Sequence, residues 1–206
     1  MLKPQEIRYG TDRGLVSSSQ AFSSGDWRKS NIFVHYPDDL CIWVNGNAEE
    51  SWQIDHQGTV HNLPPFGWLA IGKDGFYECS ESIDGKRYDR ASSRGCVFVD
   101  GRGTWHSFDG IATAGSMAVR CGKQSKSLSI IIIEGVDRLV IAEPGGTFAS
   151  NDVRATVAAV AHAKAIAVQA FDLSDEDLGE VAIQRTESGW ELKPPASTVR
   201  LDVAAK

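Results

Sequence analysis

The chain has 206 residues and a formal net charge of −6, long enough for one large β domain or two smaller ones with cores of their own. Hydrophobic residues make up 42% and charged residues 23%, a globular composition that excludes a disordered chain. The acidic balance and the lack of any Lys/Arg run exclude a surface that tracks phosphates, and with it a nucleic-acid partner.

Residues 1–10 carry a proline and a glutamate where a signal peptide needs an apolar core. The richest apolar run, 128–133, is only strand-sized. Neither an export signal nor a membrane span is therefore expected, and the sequence assigns no compartment. Short β-favouring runs then follow one another, punctuated by 20 glycines and 7 prolines. Runs 31–36 and 41–45 flank Pro37-Asp38-Asp39 as a hairpin, and 52–55 and 59–63 flank Gln57-Gly58 as a second. Pro64-Pro65 interrupts pairing, because proline supplies no N–H to a ladder. Runs 66–71, 76–83 and 86–91 come next, the last two joined at Asp84-Gly85. Runs 96–100 and 104–108 bracket Gly101-Arg102-Gly103, read as a hairpin turn, and 114–121, 127–133 and 138–143 complete about ten strands at sandwich or barrel spacing. No helix is expected before residue 144.

Residues 144–152 are small and turn-rich and read as a linker. The alanine-rich stretch after it would place Val153, Val157, Val160, Ala161, Lys164 and Val168 on one helical face. Its second half also alternates at Ile166, Val168 and Ala170. Runs 180–186, 190–193 and 198–204 read as strands that need a partner sheet, so 153–161 and 164–171 are assigned as strands as well. The fold class expected is all-β, a β-sandwich with a smaller C-terminal immunoglobulin-like module. The expected domains are a sandwich over 1–143, a linker over 144–152 and the small module over 153–206.

Among side chains that carry chemistry, the six tryptophans stand out. A flat indole on a sheet can stack against a sugar ring, but tryptophan also fills cores. Trp43 and Trp68, inside apolar runs, read as core; Trp105 follows a glycine turn, and Trp27 lies in a polar segment and reads as exposed. In FVDGRGTW (98–105), Gly101 and Gly103 would leave Asp100 and Arg102 projecting from a tight connection, either as a polar site or as a locally capped turn. The carboxylates Asp38, Asp39, Glu78, Glu81, Asp84, Asp89 and Asp100 fall at turns or alternate outward, so no catalytic pair is assigned. His56 and His61 face each other across a turn without a third ligand, the four cysteines form no CxxC pair and read as reduced core thiols, and no metal or cofactor is expected. The acidic run 172–180 lacks a calcium-loop register and reads as a solvated turn.

The segments VHYPDDLCIWVNG (34–46), LPPFGWLAIG (63–72), IDGKRYD (83–89) and FVDGRGTW (98–105) together resemble the C-terminal region of large, uncharacterised bacterial proteins related to glycoside hydrolases. In those proteins a barrel-type catalytic domain precedes β-sandwich modules. WELKPPASTVRLDVAA (190–205) is similar to the last strands of their accessory immunoglobulin-like domains. The resemblance implies a non-catalytic accessory module in carbohydrate processing, whose partner is a polysaccharide or a catalytic domain. No catalytic residue of the family maps onto this chain. Sugar contact is expected from Trp27, Trp105, Asp100 and Arg102. The alternatives are a small sugar-active hydrolase or lyase using sheet-face carboxylates with Tyr77 or Tyr88, and a structural or oligomerising module without ligand.

Overall fold

Strand pairing begins earlier than the sequence predicts. In the computed structural model, which describes residues 3–145 and 152–206, β1 (Glu6–Thr11) and β2 (Gly14–Ser17) already form an antiparallel hairpin. Asp12 and Arg13 alone connect them, without the Asn-Gly or Asp-Gly signature that makes such loops legible. A helix, α1 (Ser18–Ser24), follows where none was expected. Ser17 caps it by accepting from the Gln20 N–H while Gln20 Oε1 accepts the Ser17 backbone N–H, and Gly25 ends it in the left-handed region at φ 86°.

The described chain falls into two compact units that meet between Asp89 and Arg90. In the first, β3 (Asn31–His35), β4 (Cys41–Asn45), β7 (Trp68–Ile71) and β8 (Tyr77–Ile83) extend the sheet in the order β2-β1-β3-β4-β7-β8. The opening half of β9 (Lys86–Ser93) pairs next to β8. The hairpin of β5 (Trp52–His56) and β6 (Thr59–Leu63) is a sheet of its own. It packs on the larger one at several points: a Cβ on Gly10 would come within 2.5 Å of the Trp52 ring, and His56 meets the Trp43 ring edge-on at 5.0 Å. The buried Asn45 amide gives its hydrogens to the carbonyls of Glu50, Leu63 and Pro64, fastening the end of β4 to the end of β6. Phe33, Trp43, Ile54, Leu63, Leu69 and Cys79 fill the space between, each large apolar side chain contributing about 1.5–3 kcal/mol by burial.

The second unit holds β10 (Cys96–Asp100), β11 (His106–Phe108), β12 (Ile111–Thr113), β13 (Ser116–Cys121), β14 (Ser127–Glu134) and β15 (Leu139–Ala142). After them come α2 (Asp152–His162), β16 (Ile166–Phe171), β17 (Ala182–Arg185), β18 (Gly189–Lys193) and β19 (Arg200–Ala205). One sheet runs β16-β19-β14-β13-β10 and the other β11-β12-β15-β18-β17, with all eight neighbouring pairs antiparallel. Both are lined by apolar side chains, Val99, Met117, Val119 and Ile130 from the first and Ile111, Leu139, Ile141 and Leu192 from the second. The fold is all-β and sandwich-like.

Residues 153–161, assigned as a strand from the sequence, are helical instead. The face that packs is the one the alanine-rich periodicity marks: Val153, Val157, Val160 and Ala161 are buried against strands of both sheets of this unit. The expected break at 144–152 includes residues 146–151, which lie outside the described residues. Strands on either side of it pair directly, β14 with β19 and β15 with β18, so the last third of the chain completes sheets that residues 96–142 begin.

Candidate functional site

The segment 101–105 is a crossing between sheets, not the turn of a hairpin. β10 pairs with β13, whereas β11 pairs with β12 in the opposite sheet. Gly101 sits where the chain leaves one sheet for the other. A Cβ there would lie 2.4 Å from the Thr104 carbonyl and 2.8 Å from that of Thr113, so only glycine fits. The crossing is pinned by Gly101 N–H to the Gly115 carbonyl at 3.1 Å and by Gly103 N–H to that of Ala114 at 2.9 Å. Asp100 Oδ1 accepts the Arg102 backbone N–H at 2.8 Å, holding Arg102 at φ 50°.

These constraints leave an open depression of about 340 Å³ whose charged walls are Asp100, Arg102 and Glu134. Trp105, 40% exposed, follows on the same crossing, and the Arg138 guanidinium lies 4.3 Å from the centre of its ring. Arg138 comes from the connection after β14, and Glu134 at the end of β14 and Gly135 at the start of that connection line the depression. Asp100, Arg102 and Trp105 are thus gathered on one crossing, and Glu134 joins them although nothing in its sequence neighbourhood marks it.

Trp27 belongs to the first unit, in a single 3-10 turn after α1. It is 40% exposed, its ring stacks on the exposed Phe22 at 5.7 Å and 24°, and Arg28 lies 5.1 Å from its centre. Of the remaining indoles, Trp43 and Trp190 are buried while Trp52 and Trp68 are half-buried, so Trp68 is less enclosed than expected. Trp190 Nε1–H donates to the Val160 carbonyl of α2 at 3.1 Å, the partner a buried indole requires.

A second polar constellation lies inside the first unit. Glu81 Oε1 accepts from His61 Nδ1 at 2.7 Å and from the Tyr77 hydroxyl at 2.9 Å, and Oε2 accepts from the Tyr88 hydroxyl at 2.9 Å. Glu81 was expected to point outward, as a carboxylate on an alternating strand does. It is 5% exposed because it shares the inward face of β8 with Tyr77 and Cys79. All four side chains are buried, and the carboxylate ties β6, β8 and β9 together.

Burial, then the neighbouring Cys79 and Glu81, push the Tyr77 hydroxyl well above the ordinary tyrosine range. In the unfolded chain tyrosine gives up its proton near pH 10, whereas folded Tyr77 retains it. The folded state therefore binds more protons above that pH, and stability falls as pH rises beyond about 10, by at most about 1.4 kcal/mol per pH unit for this one group. Urea midpoints measured between pH 8 and 11 should fall along a steeper slope for the wild type than for Tyr77→Phe. Equal slopes would remove Tyr77 as the cause.

None of the four cysteines forms a disulfide, but only Cys79 is buried and Cys121 is exposed, because Cys121 ends β13 where the strand emerges from the core. Among the described residues no group of three or more His, Cys, Asp or Glu side chains is placed to hold a metal ion. The acidic run at 172–180 folds as a capped turn, with Asp172 Oδ1 accepting the N–H groups of Ser174 and Glu176. No helix among the described residues is long and apolar enough to cross a membrane.

Fold and site together define an all-β, sandwich-like protein with solvent-facing indoles on both of its units. No protein-family model, curated protein or solved structure matches the chain.

Proposed function

We propose that this chain is a non-catalytic, glycan-binding β module that serves carbohydrate processing beside a catalytic partner. The observation that carries the reading is Trp105, half-open to solvent at the end of a crossing whose other side chains line a charged depression. An exposed indole offers its flat face to the C–H bonds of a sugar ring. Asp100 and Glu134 accept hydrogen bonds from hydroxyl groups, and Arg102 donates to them. Trp27, stacked on Phe22, gives the first unit an aromatic surface of the same kind. The association with carbohydrate processing rests on the resemblance of the turn segments.

Affinity electrophoresis in gels containing soluble polysaccharides, followed by calorimetry on those that retard the chain, tests this. Trp105→Ala is expected to weaken binding at least tenfold, about 1.4 kcal/mol, with a smaller loss for Asp100→Asn. An unchanged isotherm in Trp105→Ala and Trp27→Ala would remove both residues. Failure of the wild type to bind any polysaccharide would overturn the reading.

A further inference from the structure

A cleft of about 720 Å³ in the second unit lies away from Trp105, on the face of β13, β14, β19 and β16 turned from the core. Its floor follows from strand register. Arg120 pairs with Ser129, Ser129 with Asp202, and Asp202 with Gln169. Directly paired residues project on the same side of a sheet, so these four side chains form one polar row across four strands, roughly 14 Å long at the usual strand spacing. The neighbouring row is small, Ser127 to Ala204 to Ala167, and leaves room above it.

Two loops wall the cleft, one through Lys123 in the β13–β14 connection and one through Asp175 after β16. Arg200 ties the second wall down: it is ion-paired to Asp175 and lies 4.1 Å from the centre of the Phe171 ring. Its buried Nε makes no hydrogen bond, although Asp202 Oδ2 is 3.4 Å away. Arg120 and Lys123, in contrast, hold no ion pair among the described residues and are exposed at the opposite end. The cleft therefore has an uncommitted cationic end and a row of mixed donors and acceptors, in a chain whose net charge is −6.

We infer that this cleft is a binding site for an oligosaccharide bearing carboxylate or sulfate groups. The anionic group sits against Arg120 and Lys123, and the ring hydroxyls meet Ser129, Asp202 and Gln169. The site shares no lining residue with the Asp100–Arg102 depression, so the two readings stand or fall separately.

The test is calorimetry at low salt with three probes: an oligogalacturonate, a sulfated galactan oligosaccharide and a neutral cello-oligosaccharide. At least one charged probe should bind at least tenfold more tightly than the neutral one, and which of the two binds identifies the anionic group. The double variant Arg120→Gln/Lys123→Gln, at exposed positions that carry no core, should weaken that probe tenfold or more. Lys3→Gln/Lys86→Gln, an equal loss of two charges at exposed positions of the first unit, should leave its affinity unchanged. The inference is overturned if neither charged probe binds, if the neutral probe binds equally well, or if the double variant retains wild-type affinity.

Discussion

Replacing Glu81 with alanine should destabilise the first unit by about 3 kcal/mol or more. Three donors converge on this carboxylate, His61 and Tyr77 on one oxygen and Tyr88 on the other, and all of them are buried. A buried donor deprived of its acceptor costs about 1–3 kcal/mol, because water cannot replace the lost partner. Glu81→Gln retains one carbonyl oxygen and the side-chain volume, so its loss should be smaller, near 1–2 kcal/mol. Tyr77→Phe and Tyr88→Phe each remove a donor and leave the carboxylate two others, and should cost about 1 kcal/mol apiece. Urea unfolding measures the totals. Hydrogen exchange should show protection lost first in β6 and β8, because His61 is one of the side chains, with Asn62, that bond the β5–β6 hairpin to β8. A Glu81→Ala variant within 1 kcal/mol of wild type would mean that solvent reaches the cluster and that it does not tie the hairpin down.

Much of this fold is legible from turn chemistry, and the misses have a common origin. The hairpins at 31–45 and 52–63 and the Asp84-Gly85 turn follow from residues whose backbone preferences are local. Pairing across sheets is not local. The run 98–105 carries every mark of a hairpin, yet its strands lie in different sheets, and what decides this is the fit of Gly101 between the Thr104 and Thr113 carbonyls. The same reason explains Pro144-Gly145, a turn signal whatever lies beyond it, whereas the boundary between the compact units falls inside β9, where composition does not change. Residues 153–161 carried the correct helical periodicity at Val153, Val157 and Val160, but the neighbouring strands outweighed it. A helix inserted between strands is permitted once both sheets of the unit offer it apolar side chains.

For the candidate sites the division is similar. Asp100, Arg102 and Trp105 are close in sequence, so their proximity in space needed no knowledge of the fold. The row Arg120–Ser129–Asp202–Gln169 draws on four strands, and no one of those residues is unusual in its own segment. Only register places them side by side. Glu81 was misread because its charge was weighed above alternation, which puts it on the same face of β8 as Tyr77 and Cys79.

The second unit should depend as strongly on Asp109. This buried carboxylate, on the β11–β12 turn, is ion-paired to Arg90 and lies 3.4 Å from Arg154 of α2. It thus joins the second half of β9, the small hairpin and the helix. Arg90 is only 4% exposed, and removing the partner of a buried charge costs about 3–5 kcal/mol. Asp109 also holds φ 46°, a conformation that asparagine tolerates and alanine does not. Asp109→Asn therefore isolates the charge, with an expected loss of about 3 kcal/mol, and Asp109→Ala should lose about 1 kcal/mol more through backbone strain. Arg154→Ala, at a partly exposed pair, should cost about 1 kcal/mol or less. The double variant Arg90→Met/Asp109→Asn removes both charges and should be more stable than Asp109→Asn alone, with a coupling of about 2 kcal/mol in the cycle. If Asp109→Asn lies within 1 kcal/mol of wild type, Arg90 finds its stabilisation elsewhere and the carboxylate is not the joint of this unit.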